Sequence, residues 1–278
     1  MSDNCGGGCS SCGETCSSRQ EEQSLLIEQN SKSNIKKIIG VVSGKGGVGK
    51  SLVTSLLASE MKKRGYTAGI LDADVTGPSI PKYFGITEKA RGDEEGLLIP
   101  SEAENGVKII STNMLLEHED DPVLWRGPVI TNLIQQFYNQ AAWGEVDFLF
   151  VDMPPGTGDV PLTIFQSLPI DGIVIATSPS DLVSMIVRKA IKMADMMNIP
   201  IIGVVENMSY LKCPNCDEKI SVFGKSKISQ IAQEENIDTF GQIPIDPKIS
   251  EATDAGRIFD IEILEIADVL NAVESLHE

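Results

Sequence analysis

Basic residues are scarce in this chain. It has 23 lysines and arginines against 40 aspartates and glutamates, for a formal net charge of −17 over 278 residues. Such a surface repels nucleic acid, whose binding rests mainly on Lys and Arg neutralising phosphates. Anionic membranes are disfavoured for the same reason. No uninterrupted apolar stretch reaches the roughly 18 residues of a transmembrane helix, so none is expected. The opening residues, MSDNCGGGCSSC, lack the basic and apolar regions of a signal peptide. The expected location is therefore cytoplasmic, with cysteines largely reduced. Histidine is nearly absent: His118 and His277 both sit in acidic polar surroundings and read as solvated surface residues.

Cysteine is also sparse, and its six copies are confined to two places. Cys5, Cys9, Cys12 and Cys16 lie in a Cys/Gly/Ser segment, and Cys213 and Cys216 form a C-x-x-C pair. In a cytoplasmic chain, such clustering favours metal over disulfide. A tetrahedral thiolate site needs four ligands, and the C-x-x-C pair supplies two.

Two regions are expected. Residues 1–34 form the Cys-rich N-terminal segment with a polar linker over 17–34, and residues 35–278 form the main domain. A flexible linker of that length reaches roughly 20–25 Å. In the main domain, short apolar runs recur at Ile38 to Val42, TAGILDAD, FLFVDMPP, GIVIATSP and IIGVVENM. Runs of this kind are typical of parallel strands buried on both faces. Between them lie segments with helical spacing, SLVTSLLASEMKKRG and SDLVSMIVRKAIKMADMMN. Gly65 reads as a C-terminal cap, and Met193, Met196 and Met197 read as core packing. The expected fold class is α/β, a doubly wound and mostly parallel sheet, and the glycine-rich turn GKGGVGKS after Val42 makes the expected type that of the P-loop NTPases. The acidic C-terminal stretch reads as a packed helix and not as a basic membrane anchor.

The stretch GKGGVGKS satisfies G-x-x-x-x-G-K-[ST] in full, with Gly44, Lys45, Gly46, Gly47, Val48, Gly49, Lys50 and Ser51. Glycines let backbone N–H groups converge on phosphate oxygens, and the following helix adds its positive end. Lys50 reaches the β- and γ-phosphates of ATP, and the Ser51 hydroxyl can ligate magnesium. A strand before and a helix after supply the context that distinguishes this loop from a chance glycine-rich turn. Asp72, Asp74 and Asp152 fall at strand ends, which face the ligand crevice of an open parallel sheet. Asp152 suits a carboxylate holding magnesium through water. Asp74 is the candidate for positioning the attacking water, and Asp72 supports magnesium or the loop. Aspartates at such places also serve as caps and turns. Gly156 and Gly158 make a loop able to approach the γ-phosphate and to move after hydrolysis.

The second lysine of the loop, Lys45, resembles that of the deviant Walker A ATPases, which include the nitrogenase iron protein and the Min and ParA positioning proteins. The resemblance implies that Lys45 reaches across a homodimer interface to the partner's nucleotide. Taken together and in order, SGKGGVGKS, DADVTGPSIP, LWRGP, DMPPGTGD, ENMS and CPNC resemble the Mrp/ApbC iron–sulfur cluster carrier ATPases over roughly residues 35–270. The resemblance implies that Asn207 reads adenine. It also implies that Cys213 and Cys216 of two copies bridge one 4Fe–4S cluster destined for apo iron–sulfur proteins, with nucleotide and dimer geometry coupled to its loading or release. The ATP hydrolase is expected to be slow, because a carrier needs a switch more than turnover. Zinc fits the same spacing, and a free reduced pair is a third reading. Where the family often has Gly after the second cysteine, this chain has Asp217, which places negative charge beside the thiols or alters the turn. The eukaryotic cytosolic scaffolds of the family also carry an N-terminal four-cysteine segment, with a wider first spacing. The compact spacing here fits a second cluster, a zinc site or a thiol tail. Two rival functions remain: a Min/ParA-type positioning ATPase, and a zinc-stabilised interaction protein with a vestigial ATPase. The first would need a basic DNA-binding surface or a membrane-targeting helix. Neither nucleic acid nor membrane is expected as a partner.

Overall fold

The computed structural model describes residues 26–74, 77, 79–115, 127–179 and 183–277. Cys5, Cys9, Cys12, Cys16 and His118 lie outside the described residues, as does part of the DADVTGPSIP and LWRGP stretches. In chain order the first half contains β1 (Ser33–Val42), α1 (Lys50–Lys63), β2 (Ala68–Asp72), α2 (Ile80–Tyr83), β3 (Arg91–Gly92), β4 (Leu98–Ile99), β5 (Ser101–Glu102), β6 (Lys108–Ser111) and α3 (Gly127–Asn139). The second half contains β7 (Gly144–Asp152), α4 (Asp159–Ser167), β8 (Gly172–Thr177), α5 (Val183–Met196), β9 (Ile201–Glu206), β10 (Leu211–Lys212), β11 (Lys219–Ile220), α6 (Ile228–Glu234), β12 (Phe240–Gln242), α7 (Pro247–Asp254) and α8 (Ala267–Ser275).

The main sheet runs β12-β9-β8-β1-β7-β2-β6-β5. Every neighbouring pair in it is parallel except β5 with β6. This is the doubly wound α/β architecture expected from the alternation of apolar runs and helical segments. Successive side chains on a strand point to opposite faces, so Ile38 and Ile39 enter different cores. Ile38, Leu149 and Ile175 pack with Ile134 and Phe137 of α3, Phe165 of α4 and Val187 of α5. Ile39, Phe148 and Ile70 pack with Leu56, Leu57 and Met61 of α1 and with Leu270 of α8. The chain leaves β1 for β2 on one side of it, whereas β8 lies on the other. The loop after β1 therefore sits at the point where the strand order reverses, where open sheets of this kind bind ligands.

The packed body reaches further toward the N-terminus than the expected boundary at 34/35. β1 begins at Ser33, and Ile27 N–H donates to the Ser167 carbonyl at 2.9 Å. The Asn30 amide donates to the carbonyls of Asn139 and Ala141 at 2.9 and 2.7 Å. Of the methionines expected in the core, Met193 is buried and Met197 packs against the core, but Met196 is 77% exposed. Helical periodicity places Met196 one step past the buried stripe of α5. His277 is not a freely solvated side chain either. Its ring packs against Tyr66 and Phe148, and its Nε2 lies 3.1 Å from Asp147 Oδ1.

Trp143 shows how tightly the sheet is covered. It is fully buried, its indole N–H donates to the Phe137 carbonyl at 2.9 Å, and its ring lies where a Cβ on Gly69 would stand 3.0 Å away. Trp143→Ala is expected to destabilise the chain by about 3–5 kcal/mol, the usual cost of emptying a large aromatic site. Urea unfolding followed by circular dichroism would check this, and a loss below about 1 kcal/mol would mean that the site collapses freely.

Candidate functional site

Parallel pairing sets three strand ends side by side. Asp152 at the end of β7 is opposite Asp72 of β2, and Asp72 is opposite Ser111 of β6. Val41 of β1 is the other neighbour of Asp152. The loop from Ser43 to Gly49 rises from β1, and α1 starts at Lys50. Lys50 and Ser51 thereby arrive directly above Asp152.

The Lys50 ammonium is buried and lies 2.8 Å from Asp152 Oδ1 and 3.2 Å from Asp74 Oδ2. Burial acts to lower its pKa, but the Asp152 and Asp74 charges outweigh this and hold it above the ordinary lysine value. Asp152 also accepts from the Ser51 hydroxyl at 2.6 Å and from the Thr54 hydroxyl at 2.8 Å. It is thus the hub of the cluster. Asp72 accepts from the Ser111 hydroxyl at 2.8 Å and from Asp74 N–H at 3.1 Å. Its complete burial, followed by the charge of Asp152, pushes its carboxyl up to about 8, although Ser111 and Lys50 pull the other way.

The glycines of the loop divide by role. Gly47 and Gly49 have φ of 77° and 82°, in the left-handed region that favours glycine. A Cβ on Gly46 or Gly47 would meet nothing within 4 Å, so open space lies over the loop where phosphate oxygens could approach. A Cβ on Gly49 would come within 2.1 Å of the Asn207 amide nitrogen, and one on Gly44 within 2.2 Å of Ile186. Val48 is buried. Lys45 is partly exposed and makes no hydrogen bond or ion pair among the described residues. Gly156, at φ 95°, donates its N–H to the Ser43 carbonyl at 2.8 Å, which ties the PPGTGD loop to the phosphate loop.

Asn207 sits just after β9, and its amide donates to the Val48 carbonyl at 3.0 Å. Its own Oδ1 accepts from Met208 N–H at 2.9 Å. Beside it is a cavity of about 230 Å³ whose lining includes Leu52, Tyr83, Asn207, Met208, Pro244 and Ile245.

The cysteine pair occupies the hairpin of β10 and β11. Leu211 pairs with Ile220 and Lys212 with Lys219. Cys213 N–H donates to the Glu218 carbonyl at 2.9 Å, and Asp217 N–H donates to the Cys213 carbonyl at 3.0 Å. Cys213 is partly exposed and Cys216 exposed, and both are free thiols. The Asn215 N–H, then the Cys216 thiol and N–H, hold the Cys213 thiol below its ordinary pKa, which favours the thiolate that binds metal. Asp217 stands at φ 58°, which explains why glycine suits this place and why Asp, which tolerates the left-handed region, can replace it. Its carboxylate lies 3.2 Å from the Lys212 ammonium, so part of its charge is offset. Ile220, Val222 and Phe223, just beyond, are 45%, 50% and 54% exposed. Among the described residues, no group of three or more His, Cys, Asp or Glu side chains is placed to hold a metal ion. No helix of the described residues is long and apolar enough to cross a membrane.

The phosphate loop, its three aspartates and Asn207 are thus brought together, whereas Cys213 and Cys216 stand apart on their hairpin. Two participants escaped the sequence reading. Thr54 lies three residues after Ser51, so helical spacing could have placed both hydroxyls on one face. Ser111 had no local signal, because only the pairing of β2 with β6 brings it to Asp72.

A family model described as ParA, NUBPL iron-transfer P-loop NTPase, matches residues 34–275. An iron–sulfur cluster carrier protein of Clostridium perfringens is 44% identical over 265 residues, spanning 90% of this chain and 93% of its own. The iron–sulfur cluster carrier protein of Methanococcus maripaludis is 42% identical over 263 residues, spanning 92% and 90%. A nucleotide-binding protein of Archaeoglobus fulgidus, solved in complex with ADP and with Co found, superposes with a TM-score of 0.74 at 41% identity, covering 84% of this chain and 94% of that one. The septum site-determining protein MinD of Pyrococcus horikoshii, complexed with Mg-ADP, shares the fold at a TM-score of 0.57 and 18% identity, over 87% of this chain and 96% of its own.

The buried Asp72 makes stability depend on pH. Its carboxyl holds a proton up to about 8 in the folded chain, against 3.8 for the free group. A raised carboxyl pKa stabilises the fold fully below the unfolded value, and that contribution is lost as pH rises through the folded value. Between about pH 5 and 8 the nucleotide-free chain is therefore expected to lose stability relative to Asp72→Asn. Thermal melts of both proteins across that range would show it, and a flat difference would contradict it.

Proposed function

Because this chain belongs to the iron-transfer P-loop NTPase family, we propose that it is an ATP-dependent carrier that holds a 4Fe–4S cluster between two copies and passes it to apo iron–sulfur proteins. The observation that carries this reading is the presentation of the cysteines. Cys213 and Cys216 are free thiols at the tip of a hairpin, with no third ligand beside them among the described residues. Two more thiolates are needed, and a two-fold axis supplies them by setting one hairpin against its copy. The exposed Ile220, Val222 and Phe223 give that contact an apolar flank. Homologues are named as iron–sulfur cluster carriers, which favours a cluster over zinc as cargo.

The nucleotide site fits a triphosphate. The two carboxylates now paired with Lys50 occupy the role that phosphate oxygens take when ATP binds, and the ammonium is held charged for that exchange. Ser51 and, through water, Asp152 would hold magnesium, which supplies charge neutralisation on the phosphates. Asp74 orients the attacking water, and Asp72 supports that carboxylate through its bond to Asp74 N–H. Lys45, without a partner among the described residues, reaches the nucleotide of the second copy. Adenine occupies the cavity beside Asn207, where the amide serves both the base and Val48. Hydrolysis is slow, since a carrier needs a switch more than turnover. Cys5, Cys9, Cys12 and Cys16 hold a second cluster, and the protein works in the cytoplasm.

Anaerobic loading with iron and sulfide, followed by transfer to an apo-enzyme, tests the reading. The wild type is expected to turn brown with one bridging cluster per two chains in addition to the N-terminal cluster of each chain. Cys213→Ala combined with Cys216→Ala should cut transfer at least tenfold, the order seen on losing metal-site groups. Undiminished transfer by the double variant, or a colourless zinc-loaded dimer, would overturn it.

A further inference from the structure

The phosphate loop and the cysteine hairpin are joined within one chain by residues 207 to 213, a span of at most about 20 Å for an extended backbone. At one end Asn207 bonds the Val48 carbonyl at 3.0 Å and packs directly against Gly49. At the other, Leu211 and Lys212 form the first strand of the hairpin that ends in Cys213. Any shift of the loop that moves Asn207 is therefore applied to the base of the hairpin, provided that the connection is stiff.

Its hydrogen bonds make it stiff. Asn207 N–H donates to the Thr177 carbonyl at 2.8 Å, Ser209 N–H to the Ile243 carbonyl at 2.9 Å, and Ile245 N–H to the Tyr210 carbonyl at 2.7 Å. Leu211 also bridges Ile245 in parallel. The segment thus runs as a second rail beside residues 243–245. Met208, between the anchors, has φ 57°, a conformation that a non-glycine residue adopts at a cost. The turn around it is closed by side chains. The Ser209 hydroxyl donates to Glu206 Oε2 at 2.6 Å, and the Gln242 amide donates to the same hydroxyl at 2.9 Å. Glu206 is fully buried, and its Oε1 has no hydrogen-bond partner among the described residues. A buried carboxylate left half satisfied is an expensive way to hold a strand end, which points to a role beyond packing. The cavity beside Asn207 touches both rails, with Met208 on one and Pro244 and Ile245 on the other. An occupant would clamp them together.

We propose that residues 206 to 213 are an intrachain strut that transmits the occupancy of the nucleotide site to the cysteine hairpin, with Ser209 as the positioning residue that keeps the strut rigid. The proposal rests on the functional reading above for what the hairpin carries, and it adds a route that needs no partner subunit.

The test uses the full-length, reduced and cluster-free chain. Alkylation of Cys213 and Cys216 by iodoacetamide is followed by peptide-resolved mass spectrometry, with no nucleotide, with ADP and with a non-hydrolysable ATP analogue. In the wild type, nucleotide is expected to change the alkylation rate at least about fivefold, the lower end of ordinary coupling between sites. Ser209→Ala should bind nucleotide with unchanged affinity and respond by less than about twofold. If that variant does not fold, as judged by its melting curve, Gln242→Leu removes the other donor and carries the same expectation. A full response in the folded variant would mean that coupling runs through the dimer contact and would overturn the proposal. So would the absence of any response in the wild type, or a loss of nucleotide affinity in Ser209→Ala, which would make Ser209 part of the binding site. Alkylation needs no cluster, so failure of cluster loading alone would count against the carrier reading and leave the strut standing.

Discussion

The pairing of Lys50 with Asp152 is the interaction on which the nucleotide end of this molecule depends. Both side chains are buried, at 2.8 Å from one another, with Asp74 as a second counter-charge. A buried ion pair of this kind gains little over well-packed apolar residues, because desolvation of both charges offsets their attraction. Its retention therefore speaks for function. The carboxylates keep a lysine charged inside the protein, so that it is ready for the phosphates that would replace them. Removing Lys50 would leave the buried Asp152 charge uncompensated, at a cost of about 3–5 kcal/mol.

The sheet makes that arrangement possible. Parallel strands of matched register deliver Asp152, Asp72 and Ser111 to one edge, and the loop after β1 delivers Lys50 above them. Crowding of two carboxylates in so dry a place is relieved by keeping a proton on Asp72 up to about 8. The same crowding is what a polyanionic nucleotide at the loop would rearrange. Stability given up at these strand ends is supplied by the two apolar cores on either side of the sheet.

The cysteine hairpin answers to the opposite requirement. Under the proposed reading, a group that is handed on has to be held near the surface, by ligands that are ionised yet accessible. The backbone N–H of Asn215 and the neighbouring Cys216 favour the thiolate of Cys213 without burying it. Asp217 keeps the turn in the left-handed conformation that glycine would otherwise supply, and Lys212 offsets its charge. The few residues between this hairpin and Asn207 are tied by backbone hydrogen bonds to residues 243 and 245, which is the physical basis of the proposed strut.

Much of this was legible in the amino-acid order. The phosphate loop, the strand-end aspartates, the parallel sheet and the C-x-x-C pair all rest on local signals: glycine spacing, short apolar runs and paired cysteines. Where local signals were weak, the reading fell short. Polar spacing alone suggested a linker up to residue 34, yet Ile27 and Asn30 attach that stretch to distant carbonyls. Met196 lies between the buried Met193 and the partly buried Met197 but faces away from the core, and His277 found an aromatic shelf and Asp147 that lie far from it in sequence. By itself the sequence determined which chemical groups are present and on which kind of element each one sits, because backbone preference and periodicity are properties of neighbouring residues. Only the tertiary structure decided that Asp152 gathers Lys50, Ser51 and Thr54, that Ser111 meets Asp72, and that Asn207 props the phosphate loop. Strand order and register join residues tens of positions apart, and no short-range pattern encodes those meetings.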